Sequence, residues 1–244
     1  GGGPDLPFPH HENEIAQSEA ATGKKYVNYW MHAGAVRVDN EKMSKSLGNF
    51  FTIREVLKKY HPEIVRYFLL SSHYRSPISY SEDNLLEAKS GLERFYTALR
   101  PFVNVPAASL DSLKGSEYYQ RFVDAMNDDF NSREALAAMY DLVRDINTLA
   151  KTDVEKARAF VAELKALGEV FGILGADAEA FLQGGGLIEN ADNLTSEAIE
   201  ALIEERVAAK KNRDFSRADD IREELLSQGV VLEDSREGTT WRRD

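Results

Sequence analysis

Ser81-Glu82-Asp83-Asn84-Leu85-Leu86-Glu87-Ala88-Lys89-Ser90-Gly91-Leu92-Glu93-Arg94-Phe95-Tyr96-Thr97-Ala98-Leu99 carries the signal that sets the fold class. Ser81 suits the position just before a helix, where a hydroxyl accepts from the first free N–H groups. Leu85, Ala88, Leu92, Phe95, Tyr96 and Leu99 follow at steps of three and four, close to heptad spacing, and so share one face. The pattern continues upstream. Thr52-Ile53-Arg54-Glu55 is a capping box that opens a helix to about Tyr60. Pro62 fits the first position of the next helix, which carries Ile64, Val65, Tyr67, Phe68 and Leu69. Downstream, helices are expected over 117–126, over 133–150 behind a cap at Asn131, and over 154–174 with Phe160, Leu164, Leu167, Val170 and Phe171 inside. Together they predict an antiparallel helical bundle.

The last fifty residues differ. Thr195-Ser196 caps a helix to about Lys211, a second runs from Phe215 to Leu226, and Gly229 ends it. Val230-Val231-Leu232-Glu233 and Thr239-Thr240-Trp241-Arg242 read as two short strands, which makes a small α/β module. Residues 103–116, 184–193 and 34–48 read as breaks or loops.

Composition narrows the function classes. Hydrophobic residues make up 43% of the 244, enough for a buried core. Lys plus Arg number 30 and Asp plus Glu 41, a net charge of −11, which argues against a generally basic nucleic-acid coat but leaves room for a local RNA site. There is no cysteine, hence no disulfide and no internal Cys-based zinc site. Apolar runs are short, so no membrane span is expected, and the start resembles no signal or transit peptide; a cytoplasmic protein is the expectation.

Three stretches carry chemistry. Lys42-Met43-Ser44-Lys45-Ser46 places two lysines three apart among small hydroxyl residues. Such a loop can wrap a polyphosphate, its ammonium groups neutralising charge that builds up during nucleotidyl transfer. In Phe8-Pro9-His10-His11-Glu12-Asn13-Glu14, His10 and Glu14 are four apart and share a helix face. That spacing suits two zinc ligands or a surface hydrogen bond, and two ligands do not complete a zinc shell. Gly1-Gly2-Gly3-Pro4-Asp5 suits close backbone approach to a ligand, with Asp5 accepting from ribose hydroxyls, or a flexible chain end.

The order of these stretches resembles the C-terminal half of the bacterial cysteinyl-tRNA synthetase family: GGGPDLPFPHHENEIAQSE, then YVNYWMHAGAVRVDNEKMSKSLGNF, then a bundle and a tail ending GTTWRR. The resemblance implies a class I aminoacyl-tRNA synthetase. Such an enzyme joins L-cysteine to ATP, with Mg2+, and passes the cysteinyl group to cysteine tRNA. It implies a mainly α chain: a remnant of a Rossmann-type α/β catalytic domain (1–24), the KMSKS loop and connecting domain (25–80), the helical bundle (81–183) and an anticodon-binding module (194–244). The family's HIGH signature and two zinc cysteines fall upstream, so the chain is expected to be inactive alone. His10 and Glu14 match the family's other two zinc ligands. Asp5, Lys42, Ser44, Lys45 and Ser46 match its ATP site, and Lys42 and Lys45 its catalytic lysines. Zinc thiolate chemistry would reject serine without editing. Trp30, His32 and Gly34 lead into the loop and suit ligand contact or core packing equally.

The tail is close to neutral, with eight basic against nine acidic residues over 207–244. Phe215 and Trp241 suit stacking on unpaired bases or packing of a small core. Lys210 and Arg213 suit phosphate or cytosine, and Asp219 and Asp234 suit the Watson–Crick edge of guanine. Two other readings compete: a cysteine ligase with an amino-sugar acceptor on the same core, and a non-catalytic tRNA-binding chain.

Overall fold

The computed structural model describes residues 1–38, the backbone of 41–42, and residues 52–184, 194–235 and 238–243. The N-terminal part is open. A tight turn over Pro7–His11 leads into helix α1, Glu12–Thr22, which ends at Gly23 with φ +66° and buries none of its residues. Gly2 forms a parallel bridge to His32, with Gly2 N–H donating to Met31 O at 3.1 Å and Ala33 N–H to Gly2 O at 2.9 Å.

Strand β1, Val36–Val38, sits between β2, Glu41–Lys42, and β3, Ile78–Tyr80. The β1–β2 pair is antiparallel, with Arg37 opposite Lys42. The β1–β3 pair is parallel, with Val36 opposite Ile78. Gly34 makes this junction possible: a Cβ there would meet Ser76 O at 2.1 Å, so no side chain fits. Two of these strands occupy the stretch expected to be a loop. The β1–β3 pairing reaches across about forty residues, which local pattern does not reveal.

The bundle follows the helical pattern. The capping box at Thr52 is formed in both directions, Glu55 N–H to Thr52 Oγ1 at 3.2 Å and Thr52 N–H to Glu55 Oε2 at 2.7 Å. Helix α2 is nevertheless only Ile53–Val56, shorter than expected. Then come α3, Pro62–Leu70; α4, Glu82–Leu99; α5, Glu117–Asn127; α6, Ser132–Leu149; α7, Val154–Phe171; and α8, Ala178–Gly184. Ser81 caps α4 and Asn131 caps α6 through their side chains, as the sequence predicts. Helix α7 ends three residues early because Gly172 and Leu174 take left-handed conformations. Helix α8 had no counterpart in the sequence reading. One apolar core runs from Val56 to Leu182, so α2 and α3 pack with the bundle rather than with the strands before them. Glu63 ties its end: it accepts from Tyr96 Oη at 2.6 Å, Leu174 N–H at 2.8 Å and Gly175 N–H at 3.0 Å.

The tail matches its expected elements: α9, Ser196–Lys211; α10, Phe215–Ser227; β4, Val230–Asp234; and β5, Thr239–Arg243. The strands pair antiparallel with Leu232 opposite Trp241. A second core of Ile199, Ile203, Ile221, Leu225, Val230 and Trp241 fills the module. Polar groups dock it on the bundle. Lys89 Nζ donates to Arg243 O at 3.3 Å, Arg100 to Trp241 O and Glu233 at 3.1 Å each, and Arg243 Nε to Gln183 O at 3.0 Å.

Candidate functional site

At the N-terminal end, the glycines bring backbone and side chains close. A Cβ on Gly3 would meet Asp5 Oδ1 at 2.6 Å, so the carboxylate folds back over a residue without a side chain. Asp5 itself is exposed. The buried group here is His11, not His10. His11 Nδ1 lies 3.0 Å from His32 Nε2, and its ring lies 4.4 Å from that of Trp30. Trp30 and His32 stack at 6.2 Å, their planes 10° apart. Burial, with His32 and His10 alongside, holds the His11 imidazole below its ordinary pKa. Trp30 and His32 thus belong to one aromatic layer beneath the glycine strand. Sequence reasoning passed over His11 because His10 carried the metal-like spacing; the nearby Trp30-x-His32 pattern was its available signal.

His10 is exposed, and Glu14 accepts from Tyr26 Oη at 2.9 Å. That hydrogen bond raises the Tyr26 pKa. Among the described residues no three His, Asp or Glu side chains gather as a metal-binding group, and the chain has no cysteine. One imidazole and one carboxylate do not fill a tetrahedral zinc shell, so these residues do not fit a complete zinc site.

The β1–β2 hairpin delivers the chain to the lysine loop. Lys42 ends β2, opposite Arg37. Ser44, Lys45 and Ser46 lie outside the described residues.

The tail divides its predicted residues into two groups. Lys210, Arg213 and Phe215 lie at the α9–α10 turn, where Arg213 has φ +61° and Phe215 is 62% exposed. Asp219 is exposed one turn further along α10. An aromatic ring open to solvent beside cations is the arrangement that accepts an unstacked base. Asp234 and Trp241, expected to meet RNA bases, are instead engaged within the module. Asp234 accepts from Arg206 through both guanidinium nitrogens at 2.9 Å, from Lys210 at 3.1 Å and from Thr239 Oγ1 at 2.7 Å. Four donors fill a carboxylate's lone-pair sites and leave none for guanine. The same donors, Arg206 first, hold its pKa far below the ordinary range. Trp241 is 1% exposed, with its indole N–H on Glu200 at 2.7 Å, so its ring packs the core and offers no face to a base. Arg206, buried at the centre of this clasp, had no signal in the sequence.

Comparison with known proteins agrees with the order of these parts. Residues 1–90 match the family described as tRNA synthetases class I (C) catalytic domain, residues 121–175 the DALR domain, and residues 192–242 the cysteinyl-tRNA ligase anticodon binding domain. The chain is 60% identical over 242 residues to a cysteine–tRNA ligase of Azotobacter vinelandii, covering 99% of this chain and 50% of that protein. It is 58% identical to that of Stutzerimonas stutzeri, with the same coverage, and 57% identical to that of a Marinomonas species, covering all of this chain and 51% of the relative. The chain therefore spans about half the length of the curated relatives it matches. Among the described residues no helix is long and apolar enough to cross a membrane.

Proposed function

The chain belongs to the cysteinyl-tRNA synthetase family, and we propose that it supplies the triphosphate-closing loop and the tRNA-reading parts of an ATP-dependent cysteine–tRNA ligase. The reaction has two steps. The cysteine carboxylate attacks the α-phosphorus of ATP, giving cysteinyl-adenylate and releasing pyrophosphate. A hydroxyl of the terminal tRNA adenosine then takes the cysteinyl group and AMP leaves. Lys42 and Lys45 act on the first step, where their ammonium groups offset charge on the departing pyrophosphate; Mg2+ accompanies ATP. Ser44 and Ser46 donate to phosphate oxygens, and Asp5 accepts from ribose. In this reading 1–24 closes the catalytic domain, 25–80 carries the loop, 81–183 is the bundle and 194–244 reads the anticodon, all in the cytoplasm where tRNA is charged.

The observation that supports this best is positional. The chain carries KMSKS at 42–46, within its class I catalytic match, and the anticodon-binding match covers the module whose turn exposes Phe215. An amino-sugar ligase has no use for such a module. Filter binding tests the reading with cysteine tRNA and an anticodon-swapped tRNA. Tighter binding of cysteine tRNA is expected, with Phe215→Ala weakening it by about 1–3 kcal/mol, the worth of one stacked base. Equal affinity for the two tRNAs in the unmodified chain overturns it.

A further inference from the structure

The turn between α5 and α6 is built on an unfavourable backbone. Asp129 and Phe130 follow one another and both are left-handed, with φ +54° and +56°. Aspartate tolerates that region, whereas a bulky phenylalanine rarely adopts it. Such a conformation persists where neighbouring contacts over-determine it, and here segment 70–75 supplies side-chain contacts. Asp129 accepts from Tyr74 Oη at 2.7 Å and from two guanidinium nitrogens of Arg75, Nε at 2.5 Å and Nη2 at 3.1 Å. His73 Nε2 lies 3.8 Å from the same carboxylate. The Phe130 ring meets the Tyr74 ring edge-on at 6.4 Å. Just beyond, at the start of α6, buried Ser132 donates to Leu70 O at 2.8 Å.

This turn holds the footing of the strand sheet. The bundle core takes up Leu70 and then Ile78 at its margin but not Tyr74 between them, so polar ties place the segment. Its backbone in turn carries the entry to β1. Tyr74 O accepts from Gly34 N–H at 2.7 Å, and Ala35 O from Ile78 N–H at 3.1 Å. Pro77 passes so close that a Cβ on Gly34 would meet its nitrogen at 2.6 Å. Strand β1 follows, and the antiparallel β2 ends at Lys42, opposite Arg37. One hydrogen-bonded segment and one strand pair thus link a carboxylate on the bundle to the first lysine of KMSKS. An isolated exposed ion pair contributes little, but this one is two-pronged, shares its acceptor with a tyrosine and sits on a strained turn.

We propose that Asp129 is a positioning residue for Lys42: by clasping Tyr74 and Arg75 it fixes the segment on which β1 and β2 are seated, and with it the place of the lysine relative to the bundle. The role rests on the ligase function proposed above. Asp129 acts through the strands and meets no substrate itself. An ammonium that offsets charge on the departing pyrophosphate must stand where that charge appears, and a displacement of about 1 Å transmitted from far away can cost about 10²-fold in rate. Cysteine binding does not use this lysine and is left alone.

The test compares Asp129→Gly with Asp129→Asn. Glycine accepts the left-handed backbone and removes the whole clasp; asparagine also tolerates that backbone and keeps one acceptor oxygen. In this chain, hydrogen exchange read by mass spectrometry should quicken roughly tenfold over 34–38 and 78–80 in Asp129→Gly, by less in Asp129→Asn, and not in α4 or α7. In the full-length ligase of which this chain is proposed to form part, ATP–pyrophosphate exchange should lose about 10–100-fold in kcat in Asp129→Gly, with the KM for cysteine unchanged. Asp129→Asn should recover part of that loss. A contact that only stabilised the bundle would lower the melting midpoint and leave kcat below it as it was; that result overturns the positioning role. Unchanged exchange over 34–38, or exchange that quickens equally in α4 and α7, overturns it as well. An unmodified full-length protein without cysteine-dependent pyrophosphate exchange overturns the ligase function, while hydrogen exchange in this chain still decides whether Asp129 seats the strands.

Discussion

Among the described residues, thirty buried apolar side chains interlock in the bundle, against six in the tail module, and charged side chains dock the tail on the bundle. In the bundle, Leu92, Leu142, Leu164 and Leu167 are fully buried. In the tail, Arg206 is clasped by Asp234, while Arg100, Lys89 and Arg243 bind backbone carbonyls across the junction. The apolar core of the bundle is insensitive to salt and pH, whereas charged clasps fix orientation and respond to both.

The sharpest way to break this comparison is to core both regions. Leu164→Ala should cost about 3–5 kcal/mol and lower the melting of the whole bundle. Trp241→Ala removes the largest side chain of a six-residue core and should cost about as much on paper. The tail cannot absorb such a loss, so it should open by itself, with α9 and α10 gaining amide exchange while the bundle stays protected. Hydrogen exchange read by mass spectrometry separates the outcomes. If Trp241→Ala exposes bundle and tail together, they are one cooperative unit and the distinction between them fails.

Asp234→Asn probes the clasp with a smaller effect. It keeps the shape but leaves the Arg206 charge buried without its counter-charge. A fully buried pair broken this way loses about 3–5 kcal/mol; Asp234 is half-exposed, and solvent screening reduces that to about 1–3 kcal/mol. The pH dependence has a definite sign. Because Asp234 is depressed in the fold, its stabilisation is present above the ordinary aspartate pKa and is lost as pH falls through the lower folded value. Acid titration of the unmodified chain should therefore loosen the tail at the low-pH end, and the Asp234→Asn variant should lack that dependence. Asp129 behaves in the same direction: the Arg75 and Tyr74 hydrogen bonds pull it to about 2, so its contribution fades between roughly pH 4 and pH 2.

What the sequence disclosed follows the same division between local and distant causes. The caps at Thr52, Ser81, Asn131 and Thr195 and the apolar steps behind them act within a few residues, and each predicted helix start is found. The β1–β3 pairing depends on a contact between residues 36–38 and 78–80, and the stretch from 34 reads as a loop without it. At the site the difficulty is chemical. A tryptophan and an aspartate that could read a base have the same composition as a tryptophan that fills a core and an aspartate that clasps an arginine. Only burial and partners separate them, which is why Phe215 stays a candidate while Trp241 and Asp234 do not.

The smallest effect refines the bundle side of the comparison, because one buried carboxylate there forms no ion pair among the described residues. Glu163 on α7 is 3% exposed; it accepts from Ser116 Oγ, and from Tyr119 N–H at 3.1 Å. Burial pushes its pKa up against these two donors. A carboxyl whose folded pKa is raised stabilises the fold below its unfolded value and loses that contribution as pH rises through the folded one. At neutral pH the fold therefore carries the cost of a desolvated charge. Glu163→Gln keeps a carbonyl oxygen to accept from Ser116 and Tyr119 and removes the charge. The melting midpoint at pH 7 should rise, by no more than about 2–4 °C, the size of about 1 kcal/mol in a chain of this length. Below pH 4 variant and unmodified chain should melt alike, since Glu163 is then protonated. A lower midpoint for the variant at pH 7 would mean that the ionised carboxylate, and not burial, governs this corner, and that the bundle also depends on charge.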